Sequence, residues 1–219
     1  MLKAFWRSFL ARGKSLRAVF CILGCLLLFL VSCAPKRVEI PTYEGIELRD
    51  VLSSKESIKT IEATSSLEFE KDGSIMRGEA SLRLTPESLD LQVYSFGFLV
   101  AEVTSDRTLT RSDPPMESNK LSMLVDGIRN SFFWWSIKDP EVETNESQYQ
   151  VTNSWKRIFI NKKTMMPEKQ ILELENGRQL TILYEEPELM DGGWFPSRMR
   201  IELSGRVLSL RIKTLSIMK

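Results

Sequence analysis

The 219-residue chain contains no histidine, and its three cysteines all lie within the first 33 residues. The lack of histidine excludes Ser-His-Asp and Cys-His catalysis, and it excludes a zinc site with imidazole ligands. Acid–base chemistry would have to come from carboxylates, lysine or tyrosine. We also find no glycine-rich phosphate loop and no dinucleotide fingerprint. The sequence therefore predicts a protein that is not an enzyme, with no catalytic residue, metal site or cofactor.

A strong excess of one charge is also lacking, since 30 Lys and Arg stand against 29 Asp and Glu. Nucleic-acid binding needs concentrated positive charge, so nucleic acid is not an expected partner. The hydrophobic fraction of 42% suits one globular domain with a real core. After residue 32 the balance becomes 25 basic against 29 acidic residues, a net charge of −4.

The first 32 residues have the pattern of an export signal. They contain five basic residues and no acidic one, and the run from Ala18 to Val31 carries no charge. A membrane-spanning helix needs roughly 20 apolar residues, so this 14-residue run is too short. The alternative is a single anchor helix that is not cleaved.

The signal ends in Leu30-Val31-Ser32-Cys33, which resembles the lipobox of bacterial lipoproteins. The resemblance implies cleavage before Cys33, a diacylglycerol on its thiol and an acylated amino terminus. Buried acyl chains contribute about 0.8 kcal/mol per CH₂, so several chains anchor a protein firmly. Because Ala34 stands where Asp would favour the inner membrane, we expect a periplasm-facing, lipid-anchored protein of the outer membrane. The predicted divisions are a signal peptide at 1–32, a lipidated cysteine and tether at 33–45, and a folded domain at 46–219.

Most of the folded domain shows strand patterns, with apolar and polar residues alternating from about Thr64 onwards. We predict nine or ten antiparallel strands with one buried face. Turns are expected at Asp72-Gly73, Asn176-Gly177 and Ser204-Gly205. Trp194 and Phe195 are expected to cover a sheet edge.

Two segments have helical periodicity instead. The first is Ile46 to Lys59, which is amphipathic, and the second is Ser118 to Trp135. In the second segment, apolar residues recur at helical spacing and four aromatic residues follow one another at the end. We predict a helix that crosses a curved sheet, although Gly127 within it is unfavourable.

Three stretches resemble the LolA/LolB family of periplasmic lipoprotein carriers and receptors, and most of all the outer-membrane receptor LolB. They are Leu89–Thr104, Leu124–Ile137 and Trp194–Leu215. The resemblance implies a mainly β fold, in which a curved antiparallel sheet forms a half-open barrel with a helical lid. It also implies an apolar cavity between sheet and lid that accepts the acyl chains of lipoproteins.

By this resemblance, the protein would receive lipoproteins from a periplasmic LolA-like carrier and insert them into the outer membrane. A loop with Phe96, Phe98 and Leu99 would enter the membrane. The alternative is a strand pair whose aromatic side chains point into the core. The residues expected to line the cavity and lid are Leu82, Leu84, Leu91, Val93, Leu124, Ile128, Phe132, Trp135, Ile201 and Leu210.

Two other functions remain open from the sequence. A structural or assembly lipoprotein would have the same shell with a filled core and would bind another envelope protein. A carboxylate hydrolase would need paired carboxyls, for which Glu185 and Glu186 are candidates. Adjacent strand residues point to opposite faces, which argues against that pair.

Overall fold

The computed structural model describes residues 39–43, 45–174 and 177–219. The predicted signal peptide, Cys33 and most of the tether lie outside the described residues. Ile40–Lys219 form one compact unit. In the described part of the chain, no helix combines the length and the apolar character needed to cross a membrane.

The described residues form two helices and twelve strands, which are joined by turns and loops. Helix α1 spans Leu48–Glu56. Helix α2 runs over 118–132 and has three parts, Ser118–Ser122, a wider π-helical turn at Met123–Gly127, and Ile128–Phe132. The strands are β1 (Thr60–Lys71), β2 (Ser74–Leu84), β3 (Leu89–Ser95), β4 (Phe98–Ser105), β5 (Thr110–Asp113), β6 (Glu141–Thr144), β7 (Gln148–Thr152), β8 (Lys156–Asn161), β9 (Pro167–Glu173), β10 (Gln179–Met190), β11 (Gly193–Leu203) and β12 (Arg206–Met218).

All twelve strands form one antiparallel sheet in the order β5-β4-β3-β2-β1-β12-β11-β10-β9-β8-β7-β6. The first and last strands pair at its centre, and β5 and β6 are the two open edges. The predicted curved, open antiparallel sheet with helices is confirmed. The count of nine or ten strands was too low because the edge strands have only four residues and are mostly exposed, so they lack the alternation of a half-buried strand.

One face of the sheet, which we call the inner face, is apolar and packs against α2. In β1, for example, the alternate residues Ile61, Ala63, Leu67 and Phe69 are buried. The opposite, outer face carries the charged residues. A one-residue slip would exchange the two faces, so the burial of one face fixes the register.

Helix α2 lies unusually close to strands β10 and β11, and Gly127 makes this possible. A Cβ atom at this position would lie 2.7 Å from Cγ2 of Ile201 and 3.5 Å from Cδ1 of Leu180. Glycine is therefore required by contact with the sheet, although it weakens the helix by itself.

The helix ends at Phe132 rather than at the predicted Trp135, because Phe133 leaves the helical conformation. Phe132 packs on Phe195, with ring centroids 5.8 Å apart. The run from Phe132 to Trp135 is buried, as ordinary core packing requires. Trp194 and Phe195 lie in the part of β11 that pairs with β10, and the pairing of β11 with β12 begins only at Arg198. Their expected role in covering a sheet edge stays a prediction.

A buried lysine holds the end of α2. The ammonium group of Lys156 donates hydrogen bonds to the carbonyl oxygens of Ser136 (2.9 Å) and Phe133 (3.4 Å) and to Oδ1 of Asn130 (3.4 Å). These bonds hold the end of α2 and the turn that follows it against β8, the strand that contains Lys156. Burial lowers the pKa of Lys156 to about 7. The carboxyl end of α2 is therefore fixed by both aromatic packing and hydrogen bonds.

The substitution Gly127→Ala tests the close approach of helix and sheet. We expect a loss of about 1–2 kcal/mol in the free energy of unfolding, because overpacking outweighs the better helix propensity of alanine. In an Ile201→Ala background the clashing methyl group is absent, so the same substitution should stabilise by up to about 1 kcal/mol. Urea unfolding of the four proteins measures both effects. A loss of equal size in both backgrounds would contradict this contact.

Candidate functional site: an open apolar cavity

An open cavity of about 860 Å³ lies between strands β1–β4, the first residues of β12 and the beginning of α2. Its volume is within the range of small-molecule sites. Pro114 and Pro115 precede the helix here and also contact the cavity. The apolar wall consists of Leu67, Phe69, Val93, Met116, Leu124 and Leu208.

Small residues on the inner face create this space. Gly78 lies opposite Leu67 in the sheet and contributes no side chain, and Ala101 lies opposite Val93. A Cβ atom on Gly78 would lie 2.6 Å from the carbonyl oxygen of Tyr94, at the point where the β3–β4 register shifts. The irregular pairing therefore requires glycine, and the cavity is a consequence of both small residues.

The hairpin between β3 and β4 exposes its apolar residues beside the cavity. Phe96 is 100% exposed, Phe98 74% and Leu99 52%. The alternative that these aromatic side chains point into the core is therefore wrong. Exposed apolar residues of the neighbouring β1–β2 hairpin and of β4 lie at the same mouth. We call this surface the apolar tip, and it consists of Ile75, Met76, Phe96, Phe98, Leu99 and Val100.

Phe96 also has an unfavourable backbone conformation, with φ of +50°. Among the described residues, four two-residue turns combine a positive-φ residue with a following glycine. The first position is Asp72, Asp191 or Ser204 in three of them, and Phe96 in the fourth. Short polar residues tolerate this conformation much better than an aromatic residue does. Since its side chain is fully exposed, Phe96 contributes little packing that would offset this strain.

The mouth of the cavity carries several charged side chains. Lys71 and Arg206 are directly opposite in the β1–β12 register. Glu117 lies 3.4 Å from the ammonium group of Lys71 and 2.7 Å from the guanidinium group of Arg206. Lys120 lies over the ring of Phe69, at 5.3 Å from its centroid.

The structure places the predicted cavity residues at three locations. Val93 and Leu124 line the open cavity. Trp135 lines a smaller cavity of about 320 Å³ beside α1. The interior around the other residues is filled, mainly by the side chains of α2, so the opening is displaced towards one end of the sheet. The residues in the packed core, each at most 2% exposed, are Leu82, Leu84, Leu91, Ile128, Phe132, Ile201 and Leu210.

Sequence reasoning missed the second half of the apolar tip and the charges at the mouth. Ile75 and Met76 interrupt the alternation directly after a turn, which was an available signal. The small inward residues Gly78 and Ala101 were another. The charges of Lys71, Lys120 and Arg206 are distant in sequence, and only the β1–β12 pairing and α2 bring them together.

The described ranges contain no group of three His, Cys, Asp or Glu residues that could hold a metal ion. Glu185 pairs with Arg198, and Glu186 pairs with Arg198 and Arg211 on the outer face. The open cavity itself offers apolar volume, with Lys71, Lys120 and Arg206 in its lining.

By sequence, the chain matches no profile of a known protein family and no curated protein. Its structure is similar to the crystal structure of a LolA superfamily protein from Nitrosomonas europaea, with a TM-score of 0.53 and 11% identity. The similarity covers 80% of this chain and 95% of the other. The chain has a LolA-like fold. The narrower resemblance to the LolB receptor stays a prediction.

Two further solved structures are similar to the LolA-like domain at lower scores. One is a DUF1329 family protein from Desulfovibrio piger, with a TM-score of 0.46, 12% identity, and coverage of 78% of this chain and 90% of the other. The second is a domain from Vibrio parahaemolyticus named for outer-membrane lipoprotein sorting, with a TM-score of 0.44 and 12% identity. The similarity covers 78% of this chain and 91% of the Vibrio parahaemolyticus domain.

Replacing Phe96 with asparagine should stabilise the LolA-like domain by about 0.5–1 kcal/mol, because asparagine tolerates positive φ. Ser204→Phe, at the corresponding position of the β11–β12 turn, should destabilise it by a similar amount. Urea unfolding measures both changes. Destabilisation by Phe96→Asn would show that the aromatic side chain supports the fold.

Proposed function

We propose that this protein binds acyl chains in the open cavity and transfers acylated molecules, lipoproteins among them, into a membrane. One observation carries the proposal. The cavity opens beside Phe96, a fully exposed aromatic residue in a backbone conformation that folding disfavours.

The cavity supplies the affinity for acyl chains. Its wall is apolar, and each buried CH₂ group contributes about 0.8 kcal/mol. Met76 and Met116 line it and add a compliant surface, since methionine adapts to different shapes. Acyl chains of different length could therefore be accommodated.

The apolar tip supplies contact with the membrane. Soluble surfaces rarely group six large apolar residues unless they meet a partner or a lipid phase. A tip in the bilayer would place the cavity mouth next to the acyl region. Acylated molecules then move to the side with the higher affinity, without a cofactor or a covalent step.

The narrower role is that of a LolB-like receptor. In this role Cys33 carries the lipid anchor in the outer membrane, and a LolA-like carrier delivers lipoproteins from the periplasm. The lipobox and the likeness in fold to the Nitrosomonas europaea LolA superfamily protein support this role.

A structural or assembly lipoprotein is the second candidate. Its support is the packed interior, since nine of the ten predicted cavity residues are buried. Such a protein would use the apolar tip to bind another envelope protein, and the cavity would stay empty.

Filling the cavity separates the two functions. Ala101→Trp puts a large side chain on the cavity wall, while Glu102→Trp puts it on the outer face of the same strand. We expect Ala101→Trp to lower affinity for a triacylated lipopeptide at least about tenfold, because the wall area for the chains is lost. Native mass spectrometry of the full-length protein in mild detergent measures the bound fraction. The residues before the domain are the same in every variant, so differences report on the cavity.

Equal lipopeptide binding by wild type, Ala101→Trp and Glu102→Trp would exclude the cavity as the binding site. Absence of binding by wild type would favour the assembly function. Far-ultraviolet circular dichroism shows whether each variant is folded.

A charge in the apolar tip should block transfer rather than binding. Phe96→Glu should slow delivery of a fluorescent triacylated lipopeptide to phospholipid vesicles at least about tenfold, since a carboxylate is costly in the apolar region. Leu109→Glu is the matched control, because Leu109 is 48% exposed in the turn between β4 and β5, which follows the other end of β4. Both variants should keep the lipopeptide affinity of the wild type. An unchanged transfer rate for Phe96→Glu would remove the apolar tip from the mechanism.

A further inference from the structure

We infer that the preferred acyl ligand carries an anionic headgroup, a phosphate above all, which lies against Lys71, Lys120 and Arg206 at the cavity mouth. This inference rests on the proposed binding of acyl chains. It adds the chemical class of the ligand, an anionic amphiphile such as a glycerophospholipid.

Two of these cations lie at a position that is unfavourable without an anion. Lys71 and Arg206 are cross-strand partners on the inner face, and like charges in such a pair destabilise a sheet. The side chain of Arg206 is only 14% exposed. Its Nε atom is buried and has no hydrogen-bond partner. A buried donor without a partner is costly, so an oxygen atom of a ligand that reached it would stabilise the site.

Glu117 already bridges the two cations and shows that the site accepts a carboxylate. One carboxylate neutralises only one of the two charges. Glu117 is also exposed, at 62% of its side chain, so it can move aside for another anion.

Lys120 adds a third positive charge to the same mouth. Its ammonium group lies over Phe69, which belongs to the apolar wall, and within the described chain it forms no ion pair. The cluster therefore holds three cations and one carboxylate, an excess of +2. This excess contrasts with the net charge of −4 after residue 32.

Two arginine residues of the outer face differ from this cluster because a carboxylate balances each of them. Arg77 also borders the cavity, but its guanidinium group pairs with the carboxylate of its cross-strand neighbour Glu68 at 2.9 Å. Arg211 pairs with Glu186 at 2.7 Å. The unbalanced charge thus lies where the apolar wall ends, which is where the headgroup of a bound amphiphile would be.

The position of the charge separates two classes of acyl ligand. A glycerophospholipid with a phosphate as its only charge matches the chains and the cations at once. An N-acylated lipoprotein terminus has lost its amine charge and has no phosphate, so it uses the apolar wall alone. Ion-assisted hydrogen bonds are about twice as strong as neutral ones, so the difference in affinity should be measurable.

The test compares two lipids with identical acyl chains, dioleoyl phosphatidylglycerol, which is anionic, and dioleoyl phosphatidylcholine, which is zwitterionic. Native mass spectrometry of the full-length protein in mild detergent gives the bound fraction of each. We expect phosphatidylglycerol to bind about three- to tenfold more tightly. The preference should decrease as salt is raised.

Single substitutions should shift this ratio in opposite directions. Lys120→Gln should lower the preference for phosphatidylglycerol towards one. Glu117→Gln removes the competing carboxylate and should raise it. Lys213→Gln changes the net charge equally but lies on the outer face with Glu79, so it should leave the ratio unchanged.

The remaining outcomes test the anionic headgroup and the proposed acyl binding separately. Equal binding of both lipids overturns the anionic headgroup and leaves acyl binding intact, while binding of neither overturns both. Competition by millimolar inorganic phosphate alone, with no effect of Ala101→Trp, would indicate a site for free anions. A preference that appears only on vesicles and persists in Ala101→Trp would indicate attraction to a charged membrane surface. Either of these two results overturns the inference.

Discussion

The pairing of β1 with β12 at the centre of the sheet determines the rest of the architecture. With the two ends of the domain joined there, each half of the chain can only extend outwards as a meander, and β5 and β6 become opposite edges. The connection between them must cross the sheet, and an amphipathic helix does so while it buries the inner face. The same pairing brings Lys71 and Arg206 together, so the charges at the cavity mouth depend on this contact as well.

Helix α2 has two ends with different physical properties. Near its carboxyl end Gly127 permits close contact with Ile201, Phe132 packs on Phe195, and Lys156 donates hydrogen bonds to Asn130 and to the turn that follows the helix. Near its amino end, small residues of the sheet leave the inner face open. A helix held at one end and free of close packing at the other can admit a ligand without loss of the core. This asymmetry reconciles the filled interior with the proposed binding of acyl chains.

The sequence was sufficient for the features that depend on periodicity. Alternation located the long central strands, and helical spacing located α2, because both record a single buried face. The sequence was not sufficient for features that depend on contacts between residues distant in the chain. The short edge strands bury too little to show a pattern, and the cavity depends on how far the side chains of Ile128 and Phe132 reach across the sheet. Gly127, which is unfavourable for a helix considered alone, is explained by a contact with a strand more than 70 residues away.

Features that oppose folding are the strongest guide to function here. An aromatic side chain at positive φ, five other exposed apolar residues beside it, and two like charges opposite each other all reduce stability or solubility. Each has a simple replacement, since the other described X-Gly turns with positive φ use Asp or Ser, and Arg77 and Arg211 on the outer face each pair with a carboxylate. All three occur at one mouth of one cavity, whereas packing alone would have distributed such defects over the whole molecule. Their coincidence is the reason to place binding and membrane contact at this end of the sheet.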